Sequence, residues 1–274
     1  MKRNILTILL ISSITWANAA KIDTVTVFSE AMQIDRNAIV ITPEGYSESE
    51  SYATVYLLHG WSGYYSNWIF RCINLGELAD LYNVIIVCPE GDLAGWYLDS
   101  EILAQNQYGT HVGKEVVSWV DKNYSTIAQP KGRAITGLSM GGHGALKLAG
   151  EYRETFGAAG SMSGVVDLTQ AAEDPRLDSL LGNIDENKEP WEKNSVANNL
   201  ERLRGLPMII DCGVSDFLYE DNIDFHQALE KAEIKHEFIA RPGEHTWPYW
   251  CNSIEYQMVF FNKFFNPRKL AMVD

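Results

Sequence analysis

The sequence predicts an α/β domain with a mostly parallel central sheet of about eight strands and helices on both faces. Three observations carry that expectation. Short β-branched runs are apolar almost throughout, as strands buried on both faces are, with Val84-Ile85-Ile86-Val87 the clearest. Stretches of helical periodicity fill the gaps between these runs. A Gly-x-Ser-x-Gly motif falls where one run meets the next helix.

In chain order the strands are expected at 24–28, 37–42, 54–59, 84–89, 133–138, 157–162, 208–212 and 236–240. Val112, Val116, Trp119 and Val120 recur at helical spacing, and residues 142–150 read as a second helix. Phe225, Ala228, Leu229 and Ala232 follow the i, i+3, i+4, i+7 pattern, and a last helix over 253–265 is stopped by Pro267. Residues 165–206 are polar and irregular. They read as an insertion over the sheet, with too few apolar residues for a core of their own.

The chain has 274 residues, 46% hydrophobic and 21% charged, which excludes a disordered or fibrous protein. Lys2 and Arg3, an apolar run over 5–14 and Ala17-Asn18-Ala19 have the form of a secretory leader, so residues 1–19 are expected to be cleaved near Ala19 and the rest to form a single exported domain over 20–274. No run of 18 apolar residues predicts a membrane span. The net charge of −14 argues against nucleic acid as a partner. Oligomeric state stays open. Of four cysteines, Cys88 and Cys212 lie in apolar runs that suit buried thiols, whereas Cys72 and Cys251 lie in polar or aromatic loops; the pairing cannot be chosen from sequence. No ligand spacing suggests a metal site, and no cofactor is expected.

Gly137-Leu138-Ser139-Met140-Gly141 is the motif, and its strand–turn–helix setting is what its mechanism needs. A strained turn exposes Ser139, glycines at 137 and 141 remove clashing side chains, and the helix N-terminus favours developing negative charge. A serine nucleophile needs a base, and the base an orienting acid. Three histidines follow the motif's helix. His226 falls in a helix and His236 opens a strand, both expected to be solvated, whereas His245 lies in the loop between the last strand and last helix. The acid is expected after the preceding strand, at Asp216 rather than Asp211 within it; Asp221 and Asp224 come later, as caps of the next helix. All three residues would then sit at the carboxyl edge of the sheet. The oxyanion donors are expected to be the backbone N–H groups of Trp61 and Met140, with Gly60 allowing close approach and His59 holding the loop.

In this order along the chain, Tyr56-Leu57-Leu58-His59-Gly60-Trp61-Ser62-Gly63, Gly95-Trp96-Tyr97, the motif at 137–142, Asp211-Cys212-Gly213 with Asp216-Phe217-Leu218, and Pro242-Gly243-Glu244-His245-Thr246-Trp247 resemble the esterase D-like group of α/β-hydrolases. That group includes tributyrin esterases, S-formylglutathione hydrolases, carbohydrate esterase family one and the mycolyltransferase antigens. The resemblance implies the α/β-hydrolase fold, the triad Ser139, Asp216 and His245, and the oxyanion donors Trp61 and Met140.

The expected function is that of an exported serine esterase acting on a small ester or esterified oligosaccharide, with feruloyl or acetyl esters of plant polysaccharides as substrates. A general short-chain esterase and an acyltransferase to a sugar use the same triad; a non-catalytic carbohydrate-binding relative is disfavoured by its being intact. Aromatic residues concentrate in three loops around Ser139: Trp61, Tyr64, Tyr65 and Trp68; Trp96 and Tyr97; Trp247, Tyr249 and Trp250. Such rings can stack on sugars or a phenolic acyl group. Gly60, Trp96, Tyr97 and Trp247 are the expected substrate-binding residues.

Overall fold

The computed structural model describes residues 19–267; the expected leader, up to Asn18, lies outside the described residues. The chain runs through β1 (Lys21–Ser29), β2 (Ile34–Thr42) and β3 (Ala53–Leu58), then α1 (Asn67–Arg71), α2 (Leu75–Tyr82) and β4 (Val84–Pro89). A helical stretch follows as α3 (Tyr108–Thr110), a π-turn segment (His111–Val116) and α4 (Val117–Asn123). Next come β5 (Arg133–Gly137), α5 (Met140–Glu151), β6 (Ala158–Met162), α6 (Pro175–Leu181) and α7 (Glu189–Asn194). The last described elements are β7 (Met208–Gly213), α8 (Tyr219–Lys231), β8 (Glu237–Arg241) and α9 (Trp247–Phe265).

These strands form one eight-stranded sheet in the order β1-β2-β4-β3-β5-β6-β7-β8. The hairpin of β1 and β2 is antiparallel and joins β4 antiparallel, whereas β3 to β8 pair in parallel. Every residue of β3, β4, β5, β6 and β7 is buried, which is why these strands read as mostly apolar runs, with Thr54, Arg133, Thr136, Ser161 and Asp211 the buried polar exceptions. The edge strand β8 is only half-buried.

Alternation along each strand divides the core between the two faces. Tyr56 and Leu58 of β3 point to the face covered by α4, α5 and α8, where they join Val116, Leu146 and Phe225. Val55 and Leu57 point to the other, with Trp68 of α1, Leu78 of α2, and Ile254 and Phe261 of α9. The stretch 165–206 is richer in anchors than its polar sequence suggests. Leu168, Leu177, Leu180, Trp191, Val196 and Leu203 are buried and belong to the first face's core, because short helical segments each supply too few apolar side chains for a period that sequence can register. Asp221 lies in the first turn of α8 rather than capping it; Leu218 holds the cap position.

Cys72, at the end of α1, is bridged to Cys251 in α9, closing a loop of 179 residues. Cys88 and Cys212 are buried free thiols. No described helix is long and apolar enough to cross a membrane.

Candidate active site

Ser139 occupies the turn between β5 and α5 with φ 53° and ψ −118°, a region that side-chain-bearing residues seldom adopt. The turn is packed too closely for side chains on either flank. A Cβ on Gly137 would lie 2.6 Å from the Gly141 carbonyl carbon, and one on Gly141 would lie 2.6 Å from the His59 carbonyl oxygen. The Ser139 N–H donates to Met162 O at 2.9 Å, tying the turn to the end of β6. The strain is therefore held by the sheet.

His245 follows β8 and brings Nε2 to 3.0 Å from Ser139 Oγ. Its Nδ1 lies 2.8 Å from Asp216 Oδ2 and 3.0 Å from Oδ1, so Nδ1–H donates to the carboxylate and Nε2 is left as the acceptor facing the serine hydroxyl. Asp216 also accepts the Leu218 N–H on Oδ1 at 2.9 Å. Burial works to raise the Asp216 carboxyl, but hydrogen bonds from His245 and the Leu218 N–H outweigh it and hold the group below the ordinary aspartate range. The acid therefore stays ionised where an ionised acid is required to orient the imidazole. The three residues expected from sequence thus come together at the carboxyl edge of the sheet.

Among the described residues neither the Trp61 nor the Met140 N–H has a backbone acceptor; Met140 follows Ser139 in the chain, and Trp61 lines the same cleft as Ser139. Gly60 lets its loop sit against the motif: a Cβ there would lie 2.4 Å from Leu138 Cδ1. His59 supports the loop as expected. Its Nδ1 contacts Gly60 O at 2.9 Å, and the Gly91 N–H donates to its Nε2 at 2.9 Å, joining the loops after β3 and β4.

A cleft of about 860 Å³ opens above Ser139. Trp61, Trp96, Trp247 and Trp250 line it, with Asn67 and Arg71 of α1 on one wall and Gln170, Glu173 and Asp174 from the 165–206 stretch on another. Trp96 is pinned by a hydrogen bond from Nε1 to Asp174 Oδ2 at 2.9 Å. Tyr97 corrects the expectation made for it. It is fully buried, and its hydroxyl donates to His59 O at 3.0 Å, so it braces the loop after β3 and does not reach the cleft. The cause is the positive φ of both Trp96 and Tyr97, 54° and 55°, which sends the two rings in directions that sequence cannot foresee. Trp68 and Tyr249 are likewise buried supports, bonded to Leu58 O and to Asp211. His226 and His236 are half-buried rather than solvated: they bond each other at 2.7 Å, away from Ser139.

Phe217 lines the cleft 75% exposed, its ring centroid 4.5 Å from that of His245. It follows Asp216 directly, and that adjacency was the only signal in the sequence.

Fold and site together define a serine hydrolase of the α/β-hydrolase class. The family model described as "Putative esterase" matches residues 29–260, and the chain belongs to this Esterase family. It is similar to an acetyl esterase of Caldicellulosiruptor saccharolyticus, 28% identical over 223 residues that span 74% of this chain and 80% of that one. It is also similar to the diacylglycerol acyltransferase/mycolyltransferase Ag85B of Mycobacterium leprae, 25% identical over 60% of this chain and 61% of that one. The solved structure of a ferulic acid esterase superposes with a TM-score of 0.78 at 26% identity, covering 90% of this chain and all of that one. The chain is a serine ester hydrolase.

Proposed function

We propose that the protein cleaves feruloyl or acetyl esters of plant polysaccharides or their oligosaccharides through an acyl-enzyme, after export and removal of residues 1–19. The observation that carries the mechanism is the hydrogen-bonded chain from Ser139 Oγ through His245 to Asp216 at the base of an aromatic cleft. Ser139 Oγ attacks the ester carbonyl while His245 Nε2 takes its proton. The Trp61 and Met140 N–H groups receive the negative charge that forms on the carbonyl oxygen, each worth about 2.7–4 kcal/mol in the transition state. His245 returns the proton to the departing alcohol. Water then attacks the acyl-serine with the same base, releasing the acid and restoring the serine.

The substrate reading is supported by the four tryptophans lining the cleft, by its volume of about 860 Å³, which suits a phenolic acyl group with part of a sugar, and by the similarity to an acetyl esterase and a ferulic acid esterase. The test is kcat/KM for methyl ferulate and for feruloylated or acetylated xylo-oligosaccharides against tributyrin. Preference for the sugar-linked or feruloyl esters is expected; preference for short-chain glycerides with no response to sugar esters would overturn it. The likeness to a mycolyltransferase favours one second reading, acyl transfer to a sugar hydroxyl in place of water. Product analysis with a sugar acceptor distinguishes the two.

A further inference from the structure

Among the described residues two aromatic rings meet His245. Trp250 stands edge-on to it, 4.8 Å away at 90°, and is buried. Phe217 lies 4.5 Å away, tilted by 47°, and is exposed within the cleft. Exposure alone says little, because single apolar side chains are common on protein surfaces. The place of this ring says more: it lies over the base and inside the cleft. Its backbone is also tied on both sides. The Asp216 N–H donates to Gly213 O at 3.0 Å and the Tyr219 N–H to Asp216 O at 3.0 Å. The Ser215 N–H donates to Gly243 O at 2.9 Å, in the loop that carries His245. Leu218, the next residue, is buried in the core. A ring set on a fixed turn has little freedom left to lose on meeting a ligand.

Chemistry places the alcohol of the ester beside this ring. His245 Nε2, 3.0 Å from Ser139 Oγ, hands its proton to the departing oxygen, so that oxygen comes within about 2.6–3.2 Å of Nε2. The carbonyl oxygen turns away, toward the Trp61 and Met140 N–H groups. Whatever the departing oxygen carries therefore leaves alongside His245 and meets Phe217 next. Deacylation reverses the path. A hydroxyl that replaces water gives its proton to the same Nε2 and forms the new C–O bond; the acyl–Oγ bond then breaks and Oγ takes the proton. That hydroxyl enters through the space the first alcohol vacated. We infer that Phe217 is the specificity-determining residue of the alcohol side, its exposed face stacking on the sugar that carries the ester and on a sugar acceptor when the acyl group is transferred. The inference rests on the reading of Ser139, His245 and Asp216 as the triad and deepens the proposed function.

The experiment measures kcat/KM for methyl acetate, benzyl acetate, an acetylated methyl xyloside and methyl ferulate in wild type, Phe217→Ala and Phe217→Tyr. Phe217→Ala should lower the ratio of the xyloside ester to methyl acetate by about three- to tenfold, the worth of one stacked ring. The ratio of methyl ferulate to methyl acetate, which varies the acyl group alone, should not move. Phe217→Tyr keeps the ring and should restore the wild-type ratios. With nitrophenyl acetate as donor and methyl β-xyloside as acceptor, the ratio of transferred to hydrolysed acetyl should fall by a similar factor in Phe217→Ala. Each ratio is internal to one enzyme sample, so a partly unfolded variant does not distort it. A ring that only shields His245 would slow all esters alike and leave every ratio unmoved. That result, or a change that follows the acyl group instead of the alcohol, would overturn the inference. Should the wild-type protein cleave no sugar ester, the proposed substrate falls, and the ratio of benzyl to methyl acetate still decides the role of Phe217.

Discussion

The bridge between Cys72 and Cys251 offers a quantitative test of how the cleft wall is held. It links the end of α1, which contributes Asn67 and Arg71 to the cleft, to the first turns of α9, which contribute Trp247 and Trp250. Trp68 and Trp247 meet edge-on beside it, 5.2 Å apart. Replacing both cysteines with alanine frees the unfolded chain of a 179-residue loop constraint. Chain-entropy reasoning puts that at about 5 kcal/mol. At roughly 2–4 °C per kcal/mol for a domain of this size, the melting temperature should drop by about 10–20 °C. Urea unfolding should show the loss in the midpoint. The triad hydrogen bonds involve neither cysteine, so kcat at 25 °C should stay within about threefold of wild type on the scale of context-dependent effects. A thiol titration of the denatured, unreduced wild-type protein should find only Cys88 and Cys212. Four reactive thiols, or a double variant melting within about 1 °C of wild type, would refute the reasoning.

His245→Gln should abolish turnover at every pH, whereas His226→Gln should leave kcat unchanged, since His226 is engaged with His236; a nitrophenyl ester assay reads both. Trp61→Pro removes an oxyanion N–H and should lower kcat by about 10²–10³, while Trp61→Ala keeps that N–H and should alter mainly KM. Burial beside Lys147 depresses His143 to about 3, so below pH 6.5 protons bind the unfolded chain and not the folded one. Stability should therefore fall as pH drops from 7 to 5, by about 2 kcal/mol from this residue, and His143→Gln should flatten that slope in urea titrations; an unchanged slope would contradict the assignment.

The parallel strands were legible because burial on both faces selects mostly apolar residues, most cleanly in Val84–Pro89. The convergence of Ser139, Asp216 and His245 was legible because each follows a strand, in the chain order that the α/β-hydrolase fold uses. What stayed hidden depends on backbone conformation or on distance along the chain. The positive φ at Trp96 and Tyr97 separates two neighbouring aromatics into one cleft wall and one buried brace. Ser163, held at φ 50°, sits in a Met-Ser-Gly stretch, and Trp250, whose Nε1–H donates to its hydroxyl oxygen, lies 87 residues away. The disulfide joins the end of α1 to α9 across 179 residues, which spacing cannot pair. Phe217 was visible as a residue but not as an exposed ring over His245.

The central claim is that Ser139 is a nucleophile that carries the acyl group. The most direct measurement is incubation with a fluorophosphonate probe, followed by peptide mass mapping and assay of residual ester hydrolysis. The account predicts one phosphonyl adduct per chain, on the peptide containing Ser139, formed in step with the loss of activity and absent in Ser139→Ala, which should retain its fold and lose about 10⁴-fold or more in kcat. Labelling at another serine, or hydrolysis that survives in Ser139→Ala at more than about one per cent of wild type, would contradict it.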